Sequence, residues 1–104
     1  MILATSDGIE GREIAETIGL VRGNSARTRG IGYDITAGIR NIFGGAVPEY
    51  ANLITQARDE ATANMIAAAE AQGADAIVAV RYTTSMIASG VSEILAFGTA
   101  IKLR

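Results

Sequence analysis

The strongest charge cluster in this chain is made by three arginines. The stretch Arg22-Gly23-Asn24-Ser25-Ala26-Arg27-Thr28-Arg29-Gly30 carries them without an intervening acid. A guanidinium presents forked N–H donors that match a phosphate or carboxylate. Read as a polar loop, the stretch makes Arg22, Arg27 and Arg29 a candidate small-anion site. In a symmetric ring their charge would be multiplied around the axis. The competing role is the common one for surface arginines, solvated or paired across a subunit contact.

Other chemistry is limited by what the chain lacks. It contains no cysteine and no histidine. Disulfide and thiolate chemistry are therefore excluded, and the usual neutral-pH acid–base group and commonest metal ligand is missing. Soft and borderline metals prefer thiolate and imidazole, so only a carboxylate site for a hard cation is open. Glu10, Glu13 and Glu16 are neighbours in sequence. Glu13 and Glu16, three apart in a strand, point to opposite faces. Asp59 and Glu60 diverge by about 100° on a helix. Solvated surface carboxylates are the expectation for all of them, and no intrasubunit metal site is expected. Thr83, Thr84 and Ser85 are potential nucleophiles, but a Ser-His-Asp triad needs a histidine. Lys102 is the only lysine and lies on the last strand near the end of the chain, where nothing in the sequence suggests the burial a Ser–Lys mechanism needs. Gly30-Ile31-Gly32 is not a dinucleotide loop, because Ile35 holds the place of the third glycine and no parallel βαβ unit surrounds it. No catalytic residue and no cofactor is assigned.

Composition narrows the class further. Of 104 residues 49% are hydrophobic and 19% charged, and the net charge is −2. That balance argues against a general nucleic-acid binder, which needs a basic surface. No apolar run reaches the ~18–20 residues of a membrane span, and the N-terminus lacks the basic region and apolar stretch of a secretory leader. A single cytoplasmic domain over residues 1–104 is expected.

The elements that must position these groups are readable from periodicity. Ile2 to Thr5 is a short strand that stops at Ser6-Asp7-Gly8. Glu13 to Arg22 alternates imperfectly and predicts a second strand. Asp34 is a good N-cap for a short helix with Ile35, Ile39, Ile42 and Phe43 on one face, ended by Gly44-Gly45. Pro48 opens a long helix over Glu49 to Gln72 whose stripe is Tyr50, Leu53, Ile54, Ala57, Ala61, Met65 and Ala68. Gly73 terminates it. Ala76 to Thr84 and Ser92 to Leu103 are the last strands. The second of these places Leu95, Phe97, Thr99, Ile101 and Leu103 on one face and Ile94, Ala96, Gly98 and Ala100 on the other. The order is ββααββ, an α+β fold.

Such a subunit is short of cover. Four strands at ~4.8 Å span roughly 19 Å, and a helix with its side chains is about 10–12 Å across. Two helices on one face leave the apolar second face of the sheet to a partner subunit, for which closed homo-oligomers are the commonest solution. Ala63, Ala67 and Ala71, off the main helical stripe, would let another element approach closely.

Several stretches together carry a family likeness. They are Gly30 to Tyr33, Ala37-Gly38-Ile39-Arg40, Phe43-Gly44-Gly45, Ala57-Arg58 with Ala61, Gly73-Ala74-Asp75-Ala76-Ile77-Val78 and Gly98-Thr99-Ala100-Ile101. In order and spacing the chain resembles the YbjQ-like family (UPF0145), whose label is heavy-metal binding. The resemblance implies a dodecin-like two-layer subunit with an antiparallel sheet, one long and one short helix, and assembly into a ring-shaped homopentamer. It implies no enzymatic activity and no ligand positions. The expected function is that of an oligomeric assembly or binding protein. The alternative is a ring that binds a small anion or a hard metal ion between subunits.

Overall fold

The structure, a computed structural model, describes residues 1–28, 48–88 and 91–104. Strand β1 is Ile2–Leu3, β2 Ile14–Thr28, β3 Ala76–Ala88 and β4 Val91–Leu103, and helix α1 is Pro48–Ala71. They form one four-stranded sheet in the order β1-β3-β4-β2. The short helix expected over residues 34–43 lies outside the described residues, which follow the order β-β-α-β-β.

Three expectations are corrected. The sheet is mixed rather than antiparallel, because β1 runs parallel to β3 while the β2–β4 and β3–β4 pairs are antiparallel. A parallel neighbour needs a long connection, and here everything from β2 to the end of α1 lies between them. Residues Gly23 to Thr28 are not a loop but the second half of β2, paired in unbroken register with β4 from Arg22↔Phe97 to Thr28↔Val91. Strand β3 continues past Thr84 to Ala88.

Gly23 marks where α1 crosses the sheet rather than a turn. A Cβ at Gly23 would collide with the backbone of Ala61 and Met65 and come within 2.7 Å of the Asn64 carbonyl carbon. Only a glycine lets the helix sit this low on β2. The small residues of α1 do the rest. Ala57, Ala61, Met65 and Ala69, spaced four apart, are buried against Val21, Ile77, Val80, Ile94, Ala96 and Ala100. Ala69, not the expected Ala68, continues the stripe. Asn64 Nδ2 donates to the Asn24 carbonyl at 2.9 Å, and Gly73, with a φ of 78°, ends the helix.

Register shifts in β2 and β3 set which side chains face α1. In β2 the register shifts between Ile14 and Glu16 and between Thr17 and Gly19, with Gly19 at a φ of 135°. In β3 it shifts between Val78 and Arg81, with Ala79 at a φ of 53°, and again between Met86 and Ala88. Each extra residue reverses the alternation beyond it. Ile77 and Val80, three apart, therefore both face the helix.

Among the described residues the opposite face is covered only at one end. Ala76, Val78 and Ile101 are buried there against Ile9 and Leu103. The segment between β1 and β2 supplies this cover, held by the Ser6 carbonyl accepting from Ala79 N–H at 2.7 Å and the Glu13 carbonyl accepting from Arg104 N–H at 3.0 Å. The chain thus roofs part of the face that was expected to need a partner. The outer half of that face has no such cover among the described residues, and Leu20 on it is 67% exposed. The chain is also long for its size. Its Cα radius of gyration is 16.9 Å and its extents 54 × 24 × 16 Å, against about 13 Å for a compact domain of ~100 residues.

Candidate anion-binding face

On the uncovered outer half of the sheet, directly opposed residues form rows across β2, β4 and β3. They run Arg22–Phe97–Arg81, then Asn24–Leu95–Thr83, then Ala26–Glu93–Ser85. At ~4.8 Å between strands, the two arginine Cα atoms of the first row lie roughly 10 Å apart, with half-buried Phe97 between them.

The two guanidinium groups differ in their ties. Arg81 Nη1 donates to the carbonyls of Thr5, at 2.8 Å, and Val80, at 2.9 Å. Those bonds pin the side chain and leave its charge uncompensated. Arg22 is exposed and has no hydrogen bond or ion pair among the described residues. The carboxylate on this face, Glu93, accepts from Asn24 Nδ2 at 3.1 Å, two rows from the arginines. The face therefore offers positive charge beside an aromatic ring, an arrangement suited to attracting an anion.

The expected set Arg22, Arg27 and Arg29 is spread out rather than gathered in a loop. Arg27 occupies the β2 position opposite Ser92, five residues beyond Arg22, so their Cα atoms are roughly 16 Å apart along the strand. Arg29 lies outside the described residues. Arg81 was invisible from the sequence. Strict alternation through Val78 and Val80 puts it on the helix face, and only the bulge at Ala79 carries it to the other side. Alanine seldom signals a left-handed residue.

The remaining chemistry does not converge. Lys102 is exposed opposite Glu16 on β2. Thr83, Thr84 and Ser85 are exposed on β3, with no histidine anywhere in the chain to activate them. Tyr82 Oη lies 2.8 Å from Thr62 Oγ1 and joins β3 to α1.

Over its whole length, residues 1–104, the chain matches the family YbjQ_1, described as "Putative heavy-metal-binding". It belongs to that family. Its relatives include the UPF0145 protein of Halorubrum lacusprofundi, 53% identical over 104 residues with all of both chains covered. Another is the UPF0145 protein of Photobacterium profundum, 52% identical, covering 99% of this chain and all of that one. A third, from Methanosarcina acetivorans, is 46% identical and covers 99% and 97%. A crystal structure of a DUF74-family protein of unknown function from Pediococcus pentosaceus shares the fold. Its TM-score is 0.67 at 22% identity, with 100% of this chain and 98% of that chain covered. None of these names states an activity.

The YbjQ_1 label can be tested against the donors present. The chain has no thiolate and no imidazole to offer, and those are the groups that soft metals prefer. Among the described residues no three carboxylates cluster as a metal would require. The only soft atoms are methionine sulfurs. Met65 is sealed in the core, whereas Met1 and Met86 are exposed. Met86 lies ten residues along β3 from the Ala76 that pairs with Ile2, roughly 33 Å from the Met1 end of the sheet. These donors do not fit a heavy-metal site within one subunit.

Proposed function

We propose that this YbjQ_1 chain is the subunit of a cytoplasmic homo-oligomeric ring, a pentamer, and that it serves as an assembly or binding protein rather than an enzyme. One observation carries the reading: the outer half of the sheet bears Leu20, Leu95 and Phe97 on a face that no described element covers. Exposed apolar surface of that kind marks an interaction site. The resemblance set out above is the ground for five copies and for the ring. Among the described residues no helix is long and apolar enough to cross a membrane, which agrees with a cytoplasmic location. Native mass spectrometry tests the assembly directly. Five copies of 10.8 kDa give about 54 kDa, and a stable species of about 11 kDa at micromolar concentration refutes the reading.

A second reading, a small-anion site between subunits, is favoured by the Arg22–Phe97–Arg81 row. A hard cation in the same place has no comparable support, since the described carboxylates do not gather. Millimolar phosphate is expected to raise Tm by a few degrees through preferential binding to the folded state, and Arg22→Ala with Arg81→Ala is expected to abolish the rise. An unchanged phosphate effect in that double variant refutes the site.

A further inference from the structure

Arg81 is fixed from outside its own strand. The irregularity at Ala79 turns two successive N–H groups of β3 toward the N-terminal segment. Ala79 N–H donates to the Ser6 carbonyl at 2.7 Å and Val80 N–H to the Ala4 carbonyl at 3.0 Å, while Ala4 N–H donates back to the Ile77 carbonyl at 3.0 Å. The residue between the two acceptors is thereby held in place. Its carbonyl, that of Thr5, accepts from Arg81 Nη1 at 2.8 Å. The same nitrogen also donates to the Val80 carbonyl at 2.9 Å.

An Nη nitrogen carries two hydrogens, one for each of these carbonyls. A guanidinium can meet an anion with a two-pronged edge in two ways: end-on through Nη1 and Nη2, or side-on through Nε and Nη2. Occupying Nη1 closes the first. The second stays open, because Arg81 is exposed and makes no other hydrogen bond or ion pair among the described residues. The fork is already oriented, so little rotamer freedom remains to be lost when an anion binds. Arg22, across Phe97, is exposed and untied, and ordering it still costs side-chain entropy.

We propose that Arg81 is the specificity-determining residue of the anion site. Its Nε–Nη2 edge takes an anion that presents two oxygens side by side, a carboxylate or phosphate group, while Arg22 supplies further charge. The proposal rests on the anion reading above and names the chemistry that reading leaves open. A halide is a single point of contact and cannot fill both prongs. A lysine in this place keeps the charge and loses the fork.

Heteronuclear NMR of the intact wild-type protein, following the Arg81 Nε–H resonance, tests it. The protein is titrated with inorganic phosphate, with acetate and, at matched ionic strength, with chloride. The resonance is expected to move with the oxyanions, with slower exchange against water, and to stay in place with chloride. In Arg81→Lys, calorimetric titration is expected to show phosphate bound at least roughly tenfold more weakly, as loss of a charge-assisted hydrogen bond implies, with the circular dichroism of wild type. A larger response to acetate than to phosphate names a carboxylate, the reverse names a phosphate group, and either upholds the fork. Three results overturn the fork and leave the anion reading standing. They are an equal response to chloride, an unmoved Arg81 Nε–H while phosphate binds, and a phosphate affinity that survives Arg81→Lys yet is lost when Arg22→Ala and Arg81→Ala are combined. A wild type that binds no phosphate and no acetate overturns both.

Discussion

Gly23→Ala probes the contact on which the two layers depend. The added Cβ meets the backbone of Ala61 and Met65, with the Asn64 carbonyl carbon 2.7 Å away. Ordinary carbon contacts sit at ~3.5–4.0 Å, so α1 must rise by about 1 Å or more over β2. These obstacles are main chain in the middle of a helix, and no rotamer change removes them. A radial gap of 0.5–1 Å forfeits about a quarter to a half of the dispersion well of every contact it opens. The residues that lose contact are Ala57, Ala61, Met65 and Ala69, all at 2% exposure or less. Overpacking costs about 1–3 kcal/mol in general, and rigid obstacles on both elements place this case at about 3 kcal/mol. At ~4–8 °C per kcal/mol for a domain near this size, Tm is expected to fall by about 12–24 °C. Differential scanning calorimetry at fixed protein concentration measures it, since association makes Tm concentration-dependent. Gly8→Ala is the control, because a Cβ there meets nothing within 4 Å. A Gly23→Ala melt within about 4 °C of wild type refutes the packing argument.

Gly98→Ala is expected to cost less, about 1–2 kcal/mol by chemical denaturation, because its nearest obstacle at 2.7 Å is the Ile77 Cγ2 methyl, although the Val78 carbonyl at 3.0 Å limits relief; a cost equal to that of Gly23→Ala counts against the distinction. Ala79→Gly is expected to leave Tm unchanged or raised, since the φ of 53° strains alanine by about 1–2 kcal/mol and glycine's extra unfolded-state entropy returns about 0.4–1 kcal/mol of that relief; a fall of several degrees shows the bulge is unstrained. Ala67→Glu, on the exposed side of α1, is expected to raise the concentration at which the oligomer dissociates at least tenfold, about 1.4 kcal/mol, with helicity intact; an unchanged dissociation midpoint in analytical ultracentrifugation removes α1 from the interface.

Local signals in the sequence were enough for the elements and not for their faces. Pro48, the alanine-rich stripe and Gly73 gave α1 to within a residue or two, because caps and periodicity are local. The alternation of Leu95, Phe97 and Ile101 against Ile94, Ala96 and Ala100 in β4 also holds in the structure, since β4 is the one long strand without a bulge of its own. In β2 and β3 the same counting fails. An extra residue at Gly19 or Ala79 costs little locally and reverses everything beyond it. The misreading of Gly23 has a related origin. A glycine beside polar residues signals a turn, and nothing local distinguishes a turn from a site of close approach by a helix some forty residues away. The candidate site suffered in proportion. Arg22 was found, but its partner across Phe97 depends on the bulge at Ala79.

The bulges divide the molecule into two unlike halves. On the near side of Ala79 the sheet is sandwiched: α1 covers one face, the Ile9 segment the other, and β1 closes the β3 edge. Past it, β2, β4 and β3 run on together, with α1 covering one face over Val80, Ile94 and Ala96 and meeting Tyr82 through Thr62. The opposite face of that stretch has no cover among the described residues. That face carries Leu20, Leu95 and Phe97. The first half has what a folded domain requires. Among the described residues the second leaves an apolar strip that gains free energy when another surface is laid against it. A subunit laid on that strip would bring its bulk against the Arg22–Phe97–Arg81 row. Assembly and any anion bound there would then be linked, each strengthening the other by the same factor.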